Sequence, residues 1–232
     1  MPKAIKKRAP KKNLGTETEV KDKLASLRDR IKEQKRLVLI YSAIILIVIL
    51  SISGFFFYDY TSKKKARMLE LEGYEIYNNI YQKQPVNKEE QYKRALDIFK
   101  GSYGIRKSPT VLFYIAGCYY ELGRYDETIK TLKDLTYRFS KEDRLAPLAY
   151  EKMVMAYLRK GDTKGAEETL KVLYNLKGDI YKDFALIEYA RLLEKEGRTE
   201  EAKKKYKELL EKFPNSPFSD EAKAKLGEKK EG

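Results

Sequence analysis

The hydrophobic pattern of the chain changes character at Tyr58. From Leu37 to Tyr58, 22 residues run without a charge, and 15 of them are Leu, Ile, Val or Phe. A helix rises ~1.5 Å per residue, so this run reaches about 33 Å, enough for a hydrocarbon core of about 30 Å. At roughly −0.3 to −0.6 kcal/mol each on the insertion scale, the large apolar residues supply about −5 to −9 kcal/mol. Tyr41 and Tyr58 stand near the two ends, where amphipathic rings favour the membrane interface. The run predicts one transmembrane helix over 37–58. A cleaved signal peptide fits worse, because a long basic region precedes the run and no small-x-small site follows it. The chain continues instead as Asp59-Tyr60-Thr61-Ser62-Lys63-Lys64-Lys65.

Beyond Ala66 the apolar positions take up helical spacing and a motif recurs. Leu122-Gly123-Arg124-Tyr125-Asp126-Glu127-Thr128-Ile129 is followed by Lys160-Gly161-Asp162-Thr163-Lys164-Gly165-Ala166-Glu167, and then by Glu196-Gly197-Arg198-Thr199-Glu200-Glu201-Ala202-Lys203. The shared glycines lie 38 and 36 residues apart. Four residues before each stands Tyr119, Tyr157 or Leu193, at the end of an amphipathic stretch. After each comes a second such stretch, for example Ala202, Tyr206, Leu209 and Leu210, on one helical face. A glycine in the short turn lets two helices reverse, and the small residue after it (Thr128, Ala166, Ala202) permits close contact.

This unit resembles the tetratricopeptide repeat, a helix–turn–helix module of 34 residues. The few extra residues predict longer connections between units, as over Arg138–Arg144. The last unit closes with Phe213-Pro214-Asn215-Ser216-Pro217, where Ser216 is expected to cap a final helix, Phe218–Leu226, with Pro217 in its first turn. Ser108-Pro109 starts a helix in the same way. A degenerate first unit pairs Met68–Tyr81 with Glu89–Lys100, carrying Tyr92, Ala95 and Phe99 in the expected places. It has Gln84-Pro85-Val86-Asn87 in place of the turn glycine. The expected fold is all-α: one N-terminal transmembrane helix, then a tetratricopeptide-like hairpin solenoid of about four units with a C-terminal capping helix. The whole layout also resembles the ancillary subunits of the bacterial Sec translocon. That resemblance implies an inner-membrane protein with a cytoplasmic N-terminus and a periplasmic repeat domain. The terminal Phe-Pro-Asn-Ser-Pro further resembles periplasmic repeat proteins of envelope assembly and division.

Charge sharpens the N-terminal part of this picture. The net charge of +14 is concentrated there, with 13 Lys/Arg and 5 Asp/Glu in residues 1–36. Six basic residues lie within 15 positions before the apolar run and four within 15 after it. With seven more basic residues in the tail, the positive-inside rule puts the N-terminus in the cytoplasm. Residues 1–15 read as a disordered basic tail and 16–36 as an amphipathic basic helix, with Val20, Leu24, Leu27 and Ile31 on one face. That helix suits either anionic headgroups or a partner helix. A juxtamembrane linker is expected at 59–66, the repeat domain at 67–227, and a disordered C-terminus at 228–232.

Composition limits the chemistry. The chain has no histidine, the commonest general base and metal ligand, and a single cysteine, Cys118, which reads as a small core residue. No phosphate-binding glycine loop occurs, so no enzyme, cofactor or metal site is expected. Gly101-Ser102-Tyr103-Gly104 mimics a nucleic-acid-gripping loop, but its helical flanks make it a helix end with a glycine stop. What remains is binding. The face lined by the first helix of each unit is the usual peptide groove of such stacks. By that analogy it would present Phe113, Tyr114, Gly117, Tyr120, Glu151, Met155, Arg159, Ile187, Arg191 and Glu194. The Lys-and-Asn clamp for terminal carboxylates is missing, since its places hold Phe113 and Gly117, Glu151 and Met155, Ile187 and Arg191. The expected function is a membrane-anchored, non-enzymatic adaptor for translocating or envelope-assembly proteins, with the basic tail on anionic lipid. The alternative is nucleic-acid or ribosome binding through Lys6-Lys7-Arg8 and Lys11-Lys12.

Overall fold

The computed structural model describes residues 15–80, 87–140 and 144–227, and among them it shows ten α-helices and no strand. The tail motifs Lys6-Lys7-Arg8 and Lys11-Lys12, the segment Gln84-Pro85-Val86, residues 141–143 of the second connection and the C-terminal 228–232 lie outside the described residues. The chain divides into two units, Met1–Tyr60 and Thr61–Gly232.

The first unit is helical. α1 (Gly15–Glu33) ends at the turn residue Gln34, and α2 (Lys35–Tyr77) begins directly after it. The apolar part of α2 has a mean hydropathy of 2.7 and none of it is covered by protein. Among the described residues this is the one helix long and apolar enough to cross a membrane. Two polar side chains inside the run are satisfied locally. The Ser42 hydroxyl donates to the Leu39 carbonyl at 2.9 Å and that of Ser51 to the Ile47 carbonyl at 2.8 Å, which removes their need for water. The expected linker 59–66 is helical. No Pro or Gly stands between Gly54 and Gly73, and Lys, Ala, Arg, Met, Leu and Glu are strong helix formers.

The second unit is a run of hairpins. After the C-terminal part of α2 come α3 (Lys88–Ile105), α4 (Pro109–Glu121), α5 (Tyr125–Arg138), α6 (Ala146–Lys160), α7 (Thr163–Tyr174), α8 (Lys182–Lys195), α9 (Thr199–Lys212) and α10 (Ser219–Leu226). Each helix packs on its chain neighbour, α3 on α4, α4 on α5, and so on to α10 on α9. The first helix of each hairpin closes with one repeated motif. Gly123, Gly161 and Gly197 take φ of 71°, 82° and 77°, the left-handed region that a Cβ disfavours. The residue after each glycine reaches back five positions to a carbonyl. Arg124 bonds Tyr119 at 2.8 Å, Asp162 bonds Tyr157 at 2.9 Å, and Arg198 bonds Leu193 at 2.8 Å. This is the Schellman closure of a helix C-terminus. The degenerate first hairpin uses it too: Asn79 takes φ 52°, and Ile80 bonds the Glu75 carbonyl at 3.1 Å. Asparagine replaces glycine because its short polar side chain tolerates that conformation.

Helix starts follow the expected chemistry in part. Ser108 caps α4, accepting from the Val111 N–H at 3.4 Å, with Pro109 in the first turn. Asp162 caps α7 through the Gly165 N–H at 2.9 Å, and Asn87 caps α3 through that of Glu89 at 2.9 Å. Ser216 does not cap α10, which starts at Ser219. The Ser216 hydroxyl accepts from the Phe218 N–H at 3.2 Å, one residue ahead of the helix, and donates to Asp183 at 2.8 Å, tying the last connection to the start of α8. Gly101 and Gly104 lie inside α3 and stop nothing. The helix ends where Arg106 and Ser108 turn extended ahead of Pro109, as the residue before a proline must.

The core consists of the inward rows of these helices. Phe99, Val111, Ala116 and Leu132 pack together, then Val154, Ala166, Leu170 and Leu173, then Ile187, Ala190, Tyr206 and Leu209. Thr128 is buried in the small-residue position and donates to the Arg124 carbonyl at 3.0 Å. Gly165 is the tightest approach: a Cβ there would stand 2.5 Å from the Tyr157 ring. Replacing Gly165 by Ala is therefore expected to lower stability by about 1–3 kcal/mol through overpacking. Gly161→Ala should lose about 1–2 kcal/mol from backbone strain. Gly104→Ala meets nothing within 4 Å and should be neutral or slightly stabilising. Thermal unfolding of the full-length protein followed by circular dichroism ranks the three.

A candidate partner face built by the first helices

The first helices of successive hairpins touch one another through their side chains, which makes one face out of α2 beyond Thr61, α4, α6, α8 and α10. At the α2–α4 step the contact is aromatic. Tyr114 meets Tyr74 and Tyr77 edge-on, with ring centroids 5.6 and 5.5 Å apart, and stacks on Phe99 at 5.1 Å. Tyr77 lies across α4 so closely that a Cβ on Gly117 would be 3.0 Å from its hydroxyl. Burial, helped by the nearby Glu121, pushes the Tyr77 hydroxyl well above the ordinary tyrosine pKa. The buried Gln91 amide donates to the Ile76 and Tyr77 carbonyls at 2.8 and 3.0 Å, and the Ser102 hydroxyl to that of Ala66 at 2.8 Å. All three bonds fasten α3 to α2. Beside Tyr74 a cleft of about 460 Å³ is bounded by Arg67, Glu70, Leu71, Arg106 and Ser108.

At the α4–α6 step aromatic and charged groups alternate. The Lys152 ammonium lies 5.0 Å from the Tyr120 ring centroid and 5.9 Å from that of Phe113. The Tyr120 hydroxyl, beside Arg159, raises that guanidinium's pKa further. Glu151 is half-buried and makes no ion pair with another described residue. Desolvation raises its pKa, and Lys152 offsets this only in part. Tyr181, at the start of α8, has φ 62° without being glycine, and its ring meets Phe184 edge-on. Its own pKa rises through burial and the charge of Glu151.

At the α8–α10 step the face is closed on itself. Arg191 forks onto Glu221, with Nε at 2.8 Å, and also bonds Glu188. Lys225 bonds Glu194 at 2.6 Å. The sequence-predicted residues therefore separate into four groups. Phe113, Tyr120, Glu151, Met155 and Arg159 stand partly or fully exposed on α4 and α6. Tyr114 and Gly117 are engaged by Tyr77, while Arg191 and Glu194 are occupied by ion pairs to α10. Ile187 is fully buried in the core, which corrects its placement on the groove: it packs with Ala190 and Tyr206 and offers no surface. Sequence reasoning missed Lys152, Tyr74, Tyr77 and Tyr181. Tyr74 and Tyr77 were hidden because the first hairpin lacks the glycine that sets the register. Lys152 shares the repeat register of Tyr114, 38 residues earlier, and that correspondence could have found it. Cys118 is fully buried, and burial pushes its thiol up to about 12, as befits a core residue.

The opposite side of the stack holds α7 to α9 through Glu208. Burial opposes its ionisation, yet donors at Lys205 (2.8 Å), Tyr174 and Lys212 (2.9 Å) bring its pKa down to about 2.

Comparison with known proteins agrees with the hairpin assignment. Two stretches, residues 110–141 and 183–226, match family models described as tetratricopeptide repeat, so the chain carries repeats of this class. No curated protein matches the sequence. Among solved structures, a putative kinesin light chain of Podosopora anserina with nearly identical TPR-like repeats superposes with a TM-score of 0.51 and 13% identity. The match covers 70% of this chain and 87% of that one, and a point variant of the same protein gives the same values. The TPR2AB domain of yeast Sti1 in complex with pHSP90 has 22% identity over 71% of this chain and 72% of that one, with a TM-score of 0.42. The first of these likenesses shows the all-helical repeat fold.

The two carboxylates make opposite predictions. Glu208 is held ionised, so its stabilisation is present above the unfolded carboxylate value of ~4.3 and fades as pH falls toward about 2. Glu208→Gln should cost about 1 kcal/mol at pH 7 after screening, a difference that vanishes in strong acid. Glu151 has a raised pKa, so its charged form opposes folding at neutral pH. Glu151→Gln should stabilise at pH 7 and lose that advantage as acid protonates the native carboxylate. Unfolding midpoints across a pH series read both signs.

Proposed function

We propose that the protein is a membrane-anchored adaptor whose repeat domain binds a polypeptide partner on the α4–α6 part of the first-helix face. The observation that carries this reading is the contrast along the face. Its α8–α10 end satisfies its own charges, whereas Phe113, Tyr120, Glu151 and Lys152 stand together with a desolvated carboxylate that forms no ion pair among the described residues and that Lys152 offsets only in part. A folded domain gains nothing by itself from such a group. A partner supplying a cation and apolar surface would make up the deficit. Tyrosine-rich surfaces suit this role because a ring gives large contact area for few frozen torsions. The cleft beside Tyr74 extends the same face toward the start of the domain.

The anchor is the second part of the proposal. The uncharged run 37–58, with the Ser42 and Ser51 hydroxyls bonded to the helix backbone and its apolar side chains exposed, is suited to lipid. The basic excess before it favours a cytoplasmic N-terminus and a repeat domain on the far side, periplasmic if the membrane is a bacterial inner membrane. In that setting the partner is a translocating or envelope-assembly polypeptide, and the basic tail meets anionic lipid. The role requires no bond chemistry.

Two measurements test this. Reporter fusions at each terminus should show opposite sides of the membrane; a repeat domain on the cytoplasmic side contradicts the envelope reading. Crosslinking in membranes followed by affinity capture of the full-length protein should recover translocon or envelope-assembly components. Recovery should fall about tenfold or more for the Tyr120→Ala, Lys152→Ala double variant, a loss typical of central anchor residues. Unchanged recovery, or neither class of component, counts against the proposal.

A further inference from the structure

The α1 helix carries an apolar stripe that is exposed among the described residues. Val20, Leu24 and Leu27 are 55%, 61% and 55% exposed, and they lie within an arc of about 60° when successive residues turn about 100°. Overall the helix is neutral, with Lys21, Lys23, Arg28, Arg30 and Lys32 balancing Glu17, Glu19, Asp22, Asp29 and Glu33. Its charges are nevertheless segregated. Lys21 and Arg28 stand about 70–90° to one side of the stripe, and Lys23 and Arg30 the same distance to the other. Asp22 and Asp29 lie on the opposite pole, Glu33 about 150° away and Glu19 about 110° away, and Glu17 in the first turn is the one exception, about 50° from the stripe on the Lys21 side. Among the described residues none of Lys21, Lys23, Arg28 and Arg30 is ion-paired.

This arrangement discriminates between occupants of the stripe. A second copy of α1, packed stripe to stripe in either direction, would set basic flanks against basic flanks, and like charges at those positions oppose pairing. An anionic surface meets the same flanks favourably, while the acidic pole faces water. Position points the same way. Gln34 ends α1 by a turn, and the uncharged run begins at Leu37, four residues past Glu33. Four residues span at most about 14 Å.

We propose that α1 lies along the surface of an anionic bilayer, its Val20–Leu24–Leu27 stripe in the interfacial layer and its basic flanks among the headgroups. Helices with one apolar face and basic residues beside it bind membranes in this way. The inference rests on the reading of 37–58 as a membrane span, and the experiment keeps the two apart. The chain has no tryptophan, so Leu24→Trp and Leu46→Trp each supply a single reporter in the full-length protein. Both are placed in nanodiscs of zwitterionic lipid, with or without one-third phosphatidylglycerol.

The Leu46→Trp emission should be quenched by lipids brominated in the acyl chain whatever the headgroup. The Leu24→Trp emission should shift to shorter wavelength only in the anionic discs. That shift should be lost at high salt or when Arg28→Glu and Arg30→Glu are added. An unquenched Leu46→Trp overturns the span and this proposal with it. A quenched Leu46→Trp beside a water-like Leu24→Trp in anionic discs overturns this proposal alone. So does a Leu24→Trp shift that is equal in both lipids, that needs two copies per disc, or that appears only on adding an acidic protein.

Discussion

The repeat domain depends on one backbone constraint, the left-handed residue that closes the first helix of each hairpin. A helix ends with four carbonyls that have no partner within it. At Tyr119, Tyr157 and Leu193 the chain answers this by turning through Gly123, Gly161 and Gly197 and sending the next N–H back five residues. The closure uses no side chain, so it survives wide changes in the rest of the unit. It also fixes where the second helix starts, and so which residues of the pair meet. Asn79 performs the same closure with Ile80 and Glu75, which makes the first hairpin a full member of the series despite its missing glycine.

Once the turns are fixed, the stack is assembled by close approach. Tyr157 packs flat against Gly165, and Tyr77 lies over Gly117, each in a space that a single Cβ would fill. Large rings and bare backbone thus occupy complementary places, and small residues such as Ala166 and Ala202 bring the helices of a pair together. Ties between hairpins are aromatic at the start of the domain, where Tyr114 meets Tyr74 and Tyr77, and polar further along, where Glu208 collects donors from Tyr174, Lys205 and Lys212, and Arg191 bridges to Glu221. These ties also decide what the first-helix face has left to offer. Where α10 supplies the Glu221 carboxylate to Arg191 and the Lys225 ammonium to Glu194, the face is internally satisfied. Where α6 follows α4, it presents Phe113 and Tyr120 under Lys152, with Glu151 beside them in no ion pair among the described residues.

Much of this was legible in the sequence because it follows from periodic patterns. The glycine-marked turns, the Ser108-Pro109 helix start and the uncharged run could each be read from a few residues with a definite physical role. Other features depend on partners distant in sequence. Ser216 looks like a helix cap but serves Asp183, and Gly101 and Gly104 look like a stop but lie within α3. Ile187 shares the register of Phe113 and Glu151 yet is buried, because Tyr206 of α9 and Ala222 of α10 join it in one core cluster. Likewise, the sequence could propose a face lined by first helices but could not show which half was already occupied. That half is set by α10, whose Glu221 and Lys225 come from the far end of the chain.

The α4–α6 part of the first-helix face, and not the second-helix side, is where a polypeptide partner is expected to dock. Site-specific photocrosslinking tests this most directly, with a photoreactive phenylalanine analogue placed at Phe113 or at the exposed Tyr137 of α5 in the full-length protein in native membranes. Position 113 should give discrete protein adducts that disappear when Lys152 and Tyr120 are replaced by alanine, and position 137 should give none. Adducts of equal yield from both positions, or from position 137 alone, would contradict this assignment.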